Sequence, residues 1–212
     1  MHMDDQLLAR VCALVPTRDR VIVGIAGPPA AGKSTLARAL VVRLRAQEIA
    51  AAYLPMDGYH LSNAELQRLG RLDRKGAPDT FDAQGYLALL ARLRHCPGHV
   101  VYAPDFNRTL EEPIAGSIAL GPEVSVIVTE GNYLLLDDAP WPEVRRSLDE
   151  VWYLAVPGDV RRRRLVERQE IGGKDRASAE AWADGSDARN AALVEAVQAG
   201  ADLIITPAVV RS

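Results

Sequence analysis

The sequence predicts an α/β fold, a parallel sheet with helices on both faces. Two observations predict it. Short apolar runs rich in Val and Ile alternate with longer runs of helical period, the pattern of consecutive strand–helix units. The first such run, Val21-Ile22-Val23-Gly24-Ile25-Ala26, leads through Gly27-Pro28-Pro29-Ala30-Ala31-Gly32-Lys33-Ser34 into a helix. That octapeptide fits G-x-x-x-x-G-K-[ST], a phosphate-binding loop, and it lies between strand and helix as such a loop must. The expected architecture is the three-layer P-loop NTPase sandwich, one domain over 1–212. It carries a short Arg-rich lid near 159–177 and an insertion near 58–82.

In chain order, an N-terminal helix is expected near 4–15 and a strand at 21–26. The helix after the loop, near 33–47, places Leu36, Leu40 and Leu44 on one face. A strand near 51–56 and a helix near 83–95 follow; Asp82 caps that helix, and Tyr86, Leu89, Leu90 and Leu93 form its apolar side. Strands near 99–103, 124–129 and 151–156 are read from their apolar runs, with helices near 142–148 and 159–170. The last helix, near 187–199, is closed by Gly200 before a final strand near 202–206.

In a sheet of this kind ligands bind beyond the carboxyl ends of the strands, so the residues just after each strand are the ones to inspect. After the first strand, the backbone N–H groups of the loop converge on an anion. Lys33 adds a charge for the β- and γ-phosphates, and the Ser34 hydroxyl suits Mg²⁺. Lys33, Lys75 and Lys174 are the lysines of a chain that otherwise uses Arg, and a compact ammonium has been kept at the phosphate site. Pro28-Pro29 removes two donors and stiffens the loop, leaving Ala30 to Thr35 to bind. After the second strand, Met56-Asp57-Gly58-Tyr59-His60 offers Asp57 as a general base toward a hydroxyl, against the alternative of an Asp-Gly turn. Tyr59 and His60 contact substrate or pack at the sheet edge. The fourth strand ends Val126-Ile127-Val128-Thr129-Glu130, a Walker B pattern in which Glu130 holds a Mg²⁺ water or meets the substrate. After the fifth strand comes Arg161-Arg162-Arg163-Arg164. Arg161, Arg164 and Arg168 share one helix face, and Gly172-Gly173-Lys174 follows. This reads as a lid that brings Arg onto the transferring group, or as a solvated basic face. Arg68, Arg71, Arg74 and Lys75 lie in the irregular 62–82 segment, and Asp105 and Arg108 follow the third strand. Arg108 and Asp105 line an acceptor pocket or pair with each other.

Bulk properties exclude several classes. Net charge is −3, with 25 basic and 28 acidic residues, which argues against a general nucleic-acid surface. No apolar run approaches the roughly 20 residues of a membrane span, and the acidic N-terminus lacks a signal-peptide core. Cys12 and Cys96 have no metal-ligand spacing and suit reduced thiols in a cytoplasmic protein.

These motifs together resemble the phosphoribulokinase/uridine kinase family, which includes type I pantothenate kinase. The resemblance runs roughly from Val21 to Pro207. It rests on the phosphate loop, on Met56-Asp57-Gly58-Tyr59-His60 and on Arg74-Lys75-Gly76-Ala77-Pro78-Asp79-Thr80-Phe81-Asp82. Val128-Thr129-Glu130-Gly131-Asn132-Tyr133 and the Arg-rich lid complete it. The chain is most similar to the bacterial nucleoside/nucleotide kinase subgroup, some of whose members are labelled fructose transport system kinases. The resemblance implies ATP- and Mg²⁺-dependent phosphorylation of a hydroxyl on a small metabolite. It makes Asp57 the base, Glu130 the Walker B acid, and Arg161, Arg164, Arg168 and Lys174 the lid cations. Tyr102-Ala103-Pro104-Asp105-Phe106-Asn107-Arg108 reproduces neither the uridine kinase nor the pantothenate kinase acceptor loop, so the acceptor stays open.

The resulting expectation is a kinase in which Lys33, Asp57 and Arg168 are catalytic. Gly27, Ala30, Ala31, Gly32, Lys33, Ser34, Thr35, Arg161 and Arg164 hold the nucleotide. Asp57, Tyr59, His60, Arg108 and Glu130 hold the acceptor, and Ser34 and Glu130 the metal. Thr206-Pro207-Ala208 is a candidate for the adenine. The expected partners are ATP and a small-molecule acceptor, without nucleic acid or membrane, and a homodimer is allowed. Two rivals remain. One is a nucleoside monophosphate kinase, for which Arg71, Arg74 and Arg108 offer acceptor-phosphate charges. The other is a nucleotide-switched regulator, although no Asn-Lys-x-Asp base-recognition motif is present for a GTPase.

Overall fold

The computed structural model describes residues 3–95 and 98–207. Along the chain come α1 (Met3–Leu14), β1 (Val21–Ala26), α2 (Lys33–Ala46), β2 (Ala51–Pro55), α3 (Asn63–Arg68) and α4 (Ala83–His95). There follow β3 (Val101–Asn107), β4 (Glu112–Leu120), β5 (Val126–Gly131), α5 (Trp141–Arg146) and β6 (Glu150–Leu154). The chain continues with α6 (Gly158–Ile171), α7 (Arg176–Trp182), α8 (Ala188–Ala196) and β7 (Leu203–Ile205). Five strands form a parallel sheet in the order β2-β5-β1-β6-β7.

Strand alternation sends successive side chains to opposite faces, and both faces are dry. Val21, Val23, Ile25, Val126, Val128, Trp152 and Leu154 pack with Leu7 and Val11 of α1 and Leu40 and Leu44 of α2. Ile22, Ala52, Leu54, Ile127, Val151 and Tyr153 pack with Tyr86, Leu90 and Leu93 of α4 and Trp141 and Val144 of α5. Every residue of β1 and β5 is buried, as expected of central parallel strands. Leu36 lies half-buried beside Leu40 and Leu44, as its spacing predicts. Asp82 caps α4 by accepting from the Gly85 N–H at 2.8 Å.

The third strand departs from expectation. Residues 101–107 do not enter the parallel sheet. They pair antiparallel with β4, a strand the sequence reading lacked, in a separate two-stranded hairpin. The connection has four residues, far too short for a parallel crossover. Asn107 Oδ1 shapes it by accepting from the N–H groups of Thr109 and Leu110 at 2.9 and 3.0 Å. Pro104 has no N–H for the ladder, and the register shifts between Ala103 and Asp105. Most of β4 is exposed, so its sequence carries no buried alternation.

Two short helices are also additional. Ser62 caps α3 through the Glu65 N–H, and Asp175 caps α7 through the Ser178 N–H at 2.9 Å. A π-turn, Ala183–Asp187, joins α7 to α8. Gly200 closes a short 3₁₀ turn, Gln198–Gly200, after α8 has ended at Ala196. Cys12 is a free thiol, and the expectation for Cys96 lies outside the described residues. Among the described residues no helix is long and apolar enough to cross a membrane.

Candidate active site

The strand order places three loops side by side. β5 lies between β2 and β1, and Glu130 is in register with Pro55 on one side and Ile25 on the other. The carboxyl ends of β1, β5 and β2 therefore deliver the phosphate loop, Glu130 and Asp57 to one place. Thr129 pins this edge, its hydroxyl donating to the Leu54 carbonyl at 2.6 Å and lying 2.6 Å from the Tyr86 hydroxyl.

The phosphate loop has the conformation its glycines permit. Gly27 has φ of 153°, and a Cβ there would stand 2.9 Å from the Leu154 carbonyl oxygen. Gly32 has φ of 96°, and Ala30 adopts 59° without glycine's freedom. Lys33 Nζ donates to Asn132 Oδ1 at 2.7 Å and to the Pro28 carbonyl at 3.0 Å. Burial pushes the Lys33 ammonium below its ordinary value, with Glu130 and Asp57 opposing the shift.

Glu130 is buried, and its Oε1 accepts from the Ser34 hydroxyl at 2.9 Å and from the Tyr53 hydroxyl at 2.7 Å. Burial pushes its carboxyl up. Asp57 adds to this; Lys33, Tyr53 and Ser34 offset part of it. Asp57 titrates in the other direction. Burial works against its charge, but His60, Arg108 and Lys33 outweigh that and hold the carboxyl below its usual range. Two carboxyls on one site thus have opposite shifts, the pattern by which roles are divided between acids.

Arg108 reaches Asp57 Oδ2 across the hairpin. The close approach depends on Gly58, where a Cβ would stand 2.4 Å from the Pro104 carbonyl oxygen. Arg108 also lies over the Phe106 ring, 4.8 Å from its centroid. Expectation had offered Asp105 as its partner, but Asp105 instead accepts from the Phe106 N–H at 2.8 Å.

A cavity of about 910 Å³ unites these groups. Ala30, Ala31, Gly32, Lys33, Ser34, Thr35, Asp57, His60, Arg108, Glu130, Arg164, Arg168 and Lys174 line it, all of them sequence-predicted. Arg164 donates to the carbonyls of Ala30 and Ala31 at 3.2 and 3.4 Å, which joins α6 to the loop. Three predicted residues, Tyr59, Arg161 and Gly27, face elsewhere. Tyr59 packs against Tyr86 with ring centroids 5.1 Å apart. Arg161 is buried at the base of α6, donating to the Val156 carbonyl at 3.0 Å and pairing with Glu195. Arg161 shares a helix face with Arg164 and Arg168, but at the first turn that face meets α8 instead of the cavity. Gly27 lies behind the loop, against β6. Of the adenine candidates, Pro207 lines the cavity and Thr206 a shallow groove against α1; Ala208 lies outside the described residues.

Sequence reasoning missed Asn132 as the brace of Lys33, although it stands in the motif after β5. It also missed Tyr53 behind Glu130, and Phe81, Phe106, Asp187 and Asn190 in the cavity wall, whereas Lys75 of the irregular 62–82 segment does line it. No signal marked Asp187 or Asn190.

Several known proteins are similar to this chain. A provisionally named uridine kinase of Schizosaccharomyces pombe is 32% identical over 211 residues, 95% of this chain and 89% of the relative. A pantothenate kinase of Lacticaseibacillus casei is 32% identical over 148 residues, 63% of this chain and 48% of the relative. A crystal structure from Silicibacter sp. TM1040, provisionally named a fructose transport system kinase, superposes with a TM-score of 0.85 at 40% identity. It covers 93% of this chain and 98% of that one. No protein-family model matches the chain.

Proposed function

Since this chain belongs to the phosphoribulokinase/uridine kinase family of P-loop kinases, we propose that it moves the γ-phosphoryl group of ATP to a hydroxyl of a small metabolite. The observation that carries this reading is the opposed pair at the strand ends. Asp57 is kept ionised toward the acceptor side, while Glu130 holds Ser34 beside the phosphate loop.

The residues present suit Mg²⁺. Among the described residues no group of three or more His, Cys, Asp or Glu side chains forms a metal cage. One carboxylate and one hydroxyl stand 2.9 Å apart next to a triphosphate loop. Mg²⁺ is commonly bound in this way, through one or two carboxylates plus substrate phosphates. Ser34 and Glu130 would hold it, and it would neutralise charge between the β- and γ-oxygens.

The chain's own residues supply the rest. Loop N–H groups and Lys33 fix the phosphates, and Asn132 aims the ammonium. Arg108 engages Asp57 Oδ2, which leaves Oδ1 for the acceptor hydroxyl and its proton. Arg164 and Arg168 project from α6 over the loop and offset charge when the lid region, 159–177, excludes water. Arg71 and Arg74 do not favour a monophosphate acceptor, because both pair with Asp79.

The test is ADP release with Mg²⁺-ATP across sugars, nucleosides, pantothenate and nucleoside monophosphates, with Lys33→Ala as the blank. Stimulation by a hydroxyl acceptor is expected. A flat rate on every acceptor, or stimulation by monophosphates alone, would sink the proposal.

A further inference from the structure

Among the described residues, one buried side-chain polar atom lacks a hydrogen-bond partner, Oδ2 of Asp187. Asp187 is only 8% exposed, yet it lines the main cavity. An unpaired carboxylate in such a place costs stability, since it gives up water and gains no donor. Burial accordingly pushes its carboxyl up, with Arg168 and Lys174 pulling back. Nothing in the proposed phosphate transfer uses it.

It lies between the lid cations Arg168 and Lys174 and the acceptor side of the cavity. Asp187 ends the π-turn between α7 and α8, and turns of this kind recur at functional sites. Three residues on, and so on the same helix face, Asn190 is 4% exposed and lines the same cavity. Its Nδ2 approaches Gly76, lying 3.9 Å from where a Cβ would stand. Gly76 has φ of 99°, and its carbonyl accepts from the Tyr133 hydroxyl. The start of α8 therefore packs against the 72–76 segment. His60, Phe81 and Phe106 line the cavity on the acceptor side as well, with the His60 and Phe81 rings 4.0 Å apart.

The chemistry of the pair is specific. An ionised carboxylate only accepts hydrogen bonds, whereas a primary amide both donates and accepts. Side by side they suit two neighbouring hydroxyls, one donating to Asp187 and the other exchanging with Asn190. A carboxylate or phosphate at the same place would meet the Asp187 charge. The aromatic rings suit the C–H face of such a molecule.

We propose that Asp187 and Asn190 bind two neighbouring hydroxyls of the acceptor, and that the acceptor is an uncharged sugar or polyol. This rests on the kinase reading above and narrows its substrate class. The reaction balances as an ordinary transfer. An acceptor O–P bond forms as the bond from the γ-phosphorus to the β–γ bridging oxygen breaks, ADP leaves, and the hydroxyl proton passes to Asp57.

The test combines calorimetry with turnover on the full chain. Fructose, ribose, xylitol, pantothenate and glycerate are titrated into protein saturated with a non-hydrolysable ATP analogue, and ADP release is measured with Mg²⁺-ATP. A neutral polyol should bind and be turned over in preference to both acids. Asp187→Ala and the near-isosteric Asp187→Asn should raise its KM at least ~10-fold, the scale of one lost charged hydrogen bond, and leave the KM for ATP unchanged. Of the deoxy analogues, the one lacking the hydroxyl that donates to Asp187 should be ~10-fold poorer for the native chain and no poorer than its parent for Asp187→Ala. Turnover of pantothenate or glycerate alone would overturn the assignment and leave the kinase reading intact, as would an unchanged polyol KM in both variants. Polyol binding that Asp187→Ala abolishes, without ADP release on any acceptor, would keep the assignment and overturn the kinase reading.

Discussion

Replacing Tyr53 by Phe removes one hydroxyl, and the structure indicates what that hydroxyl does. It donates to Glu130 Oε1 at 2.7 Å, inside a site where, among the described residues, Ser34 is the other side-chain donor to Glu130. Burial raises the Tyr53 phenol well above its ordinary range, and the Glu130 charge raises it further, so the hydroxyl keeps its proton at any working pH. A hydrogen bond to a charged, buried acceptor contributes about 1.5–3 kcal/mol, because the alternative is an under-solvated carboxylate. At about 1.4 kcal/mol per decade, losing it weakens what Glu130 holds by roughly 10- to 100-fold, the scale found when outer-shell partners of metal ligands are removed. The ring keeps its place, with the Arg38 guanidinium 4.1 Å from the ring centroid, so packing is preserved. The assay is the Mg²⁺ concentration giving half-maximal turnover at fixed, saturating ATP. Tyr53→Phe should raise that concentration by the factor above, with little change in the thermal midpoint. An unchanged Mg²⁺ dependence would refute the reasoning, because Glu130 would then not be the carboxylate that holds the metal.

Three further perturbations separate the roles assigned above. Asp57→Asn should leave ATP affinity intact and lower kcat by about 10²- to 10⁴-fold, as loss of a general base does; equal losses in binding and turnover would remove Asp57 from that role. For pH, Glu130 has a raised carboxyl and Asp57 a lowered one, so activity falling with pH is lost first through Glu130 as a one-proton limb. Arg108→Ala removes one of the charges holding Asp57 down, so its carboxyl titrates at higher pH and the acid limb of kcat/KM should steepen toward two protons. An unchanged slope would contradict the pairing. Arg161→Ala breaks the pair with Glu195 and the bond to Val156 at the base of α6. It should cost about 2 kcal/mol, or about 4–8 °C in Tm, with little effect on the KM for ATP. A selective loss of ATP binding at unchanged stability would instead restore Arg161 to the nucleotide site.

What was legible in the sequence follows from which interactions are local. The loop, Asp57 and Glu130 could be found because each sits at a fixed offset from an apolar strand, and the parallel sheet turns those offsets into proximity. Near-continuous apolar runs also located β1, β2, β5 and β6, which pack on both faces. The β3–β4 hairpin escaped because its outer strand is exposed and carries Pro113 and Gly116, so burial left no pattern to read. Arg108 shows a second limit. Its partner, Asp57, is 51 residues away, and the contact exists only because Gly58 lets the hairpin backbone approach. Helical spacing grouped Arg161, Arg164 and Arg168, but a face can meet different neighbours along its length. The first turn of α6 meets Glu195 of α8, while the later turns meet the cavity. Asp187 is the clearest case. The sequence places it at the start of the last helix, near 187–199, where an acid is ordinarily solvated. The π-turn reverses that reading by turning the residue inward, where no donor among the described residues meets Oδ2. A local rule broken without compensation from the chain itself marks where the sequence serves a ligand instead of the fold. By that criterion the proposed polyol specificity rests on Asp187 and Asn190 at the acceptor end of the cavity, and not on the phosphate loop.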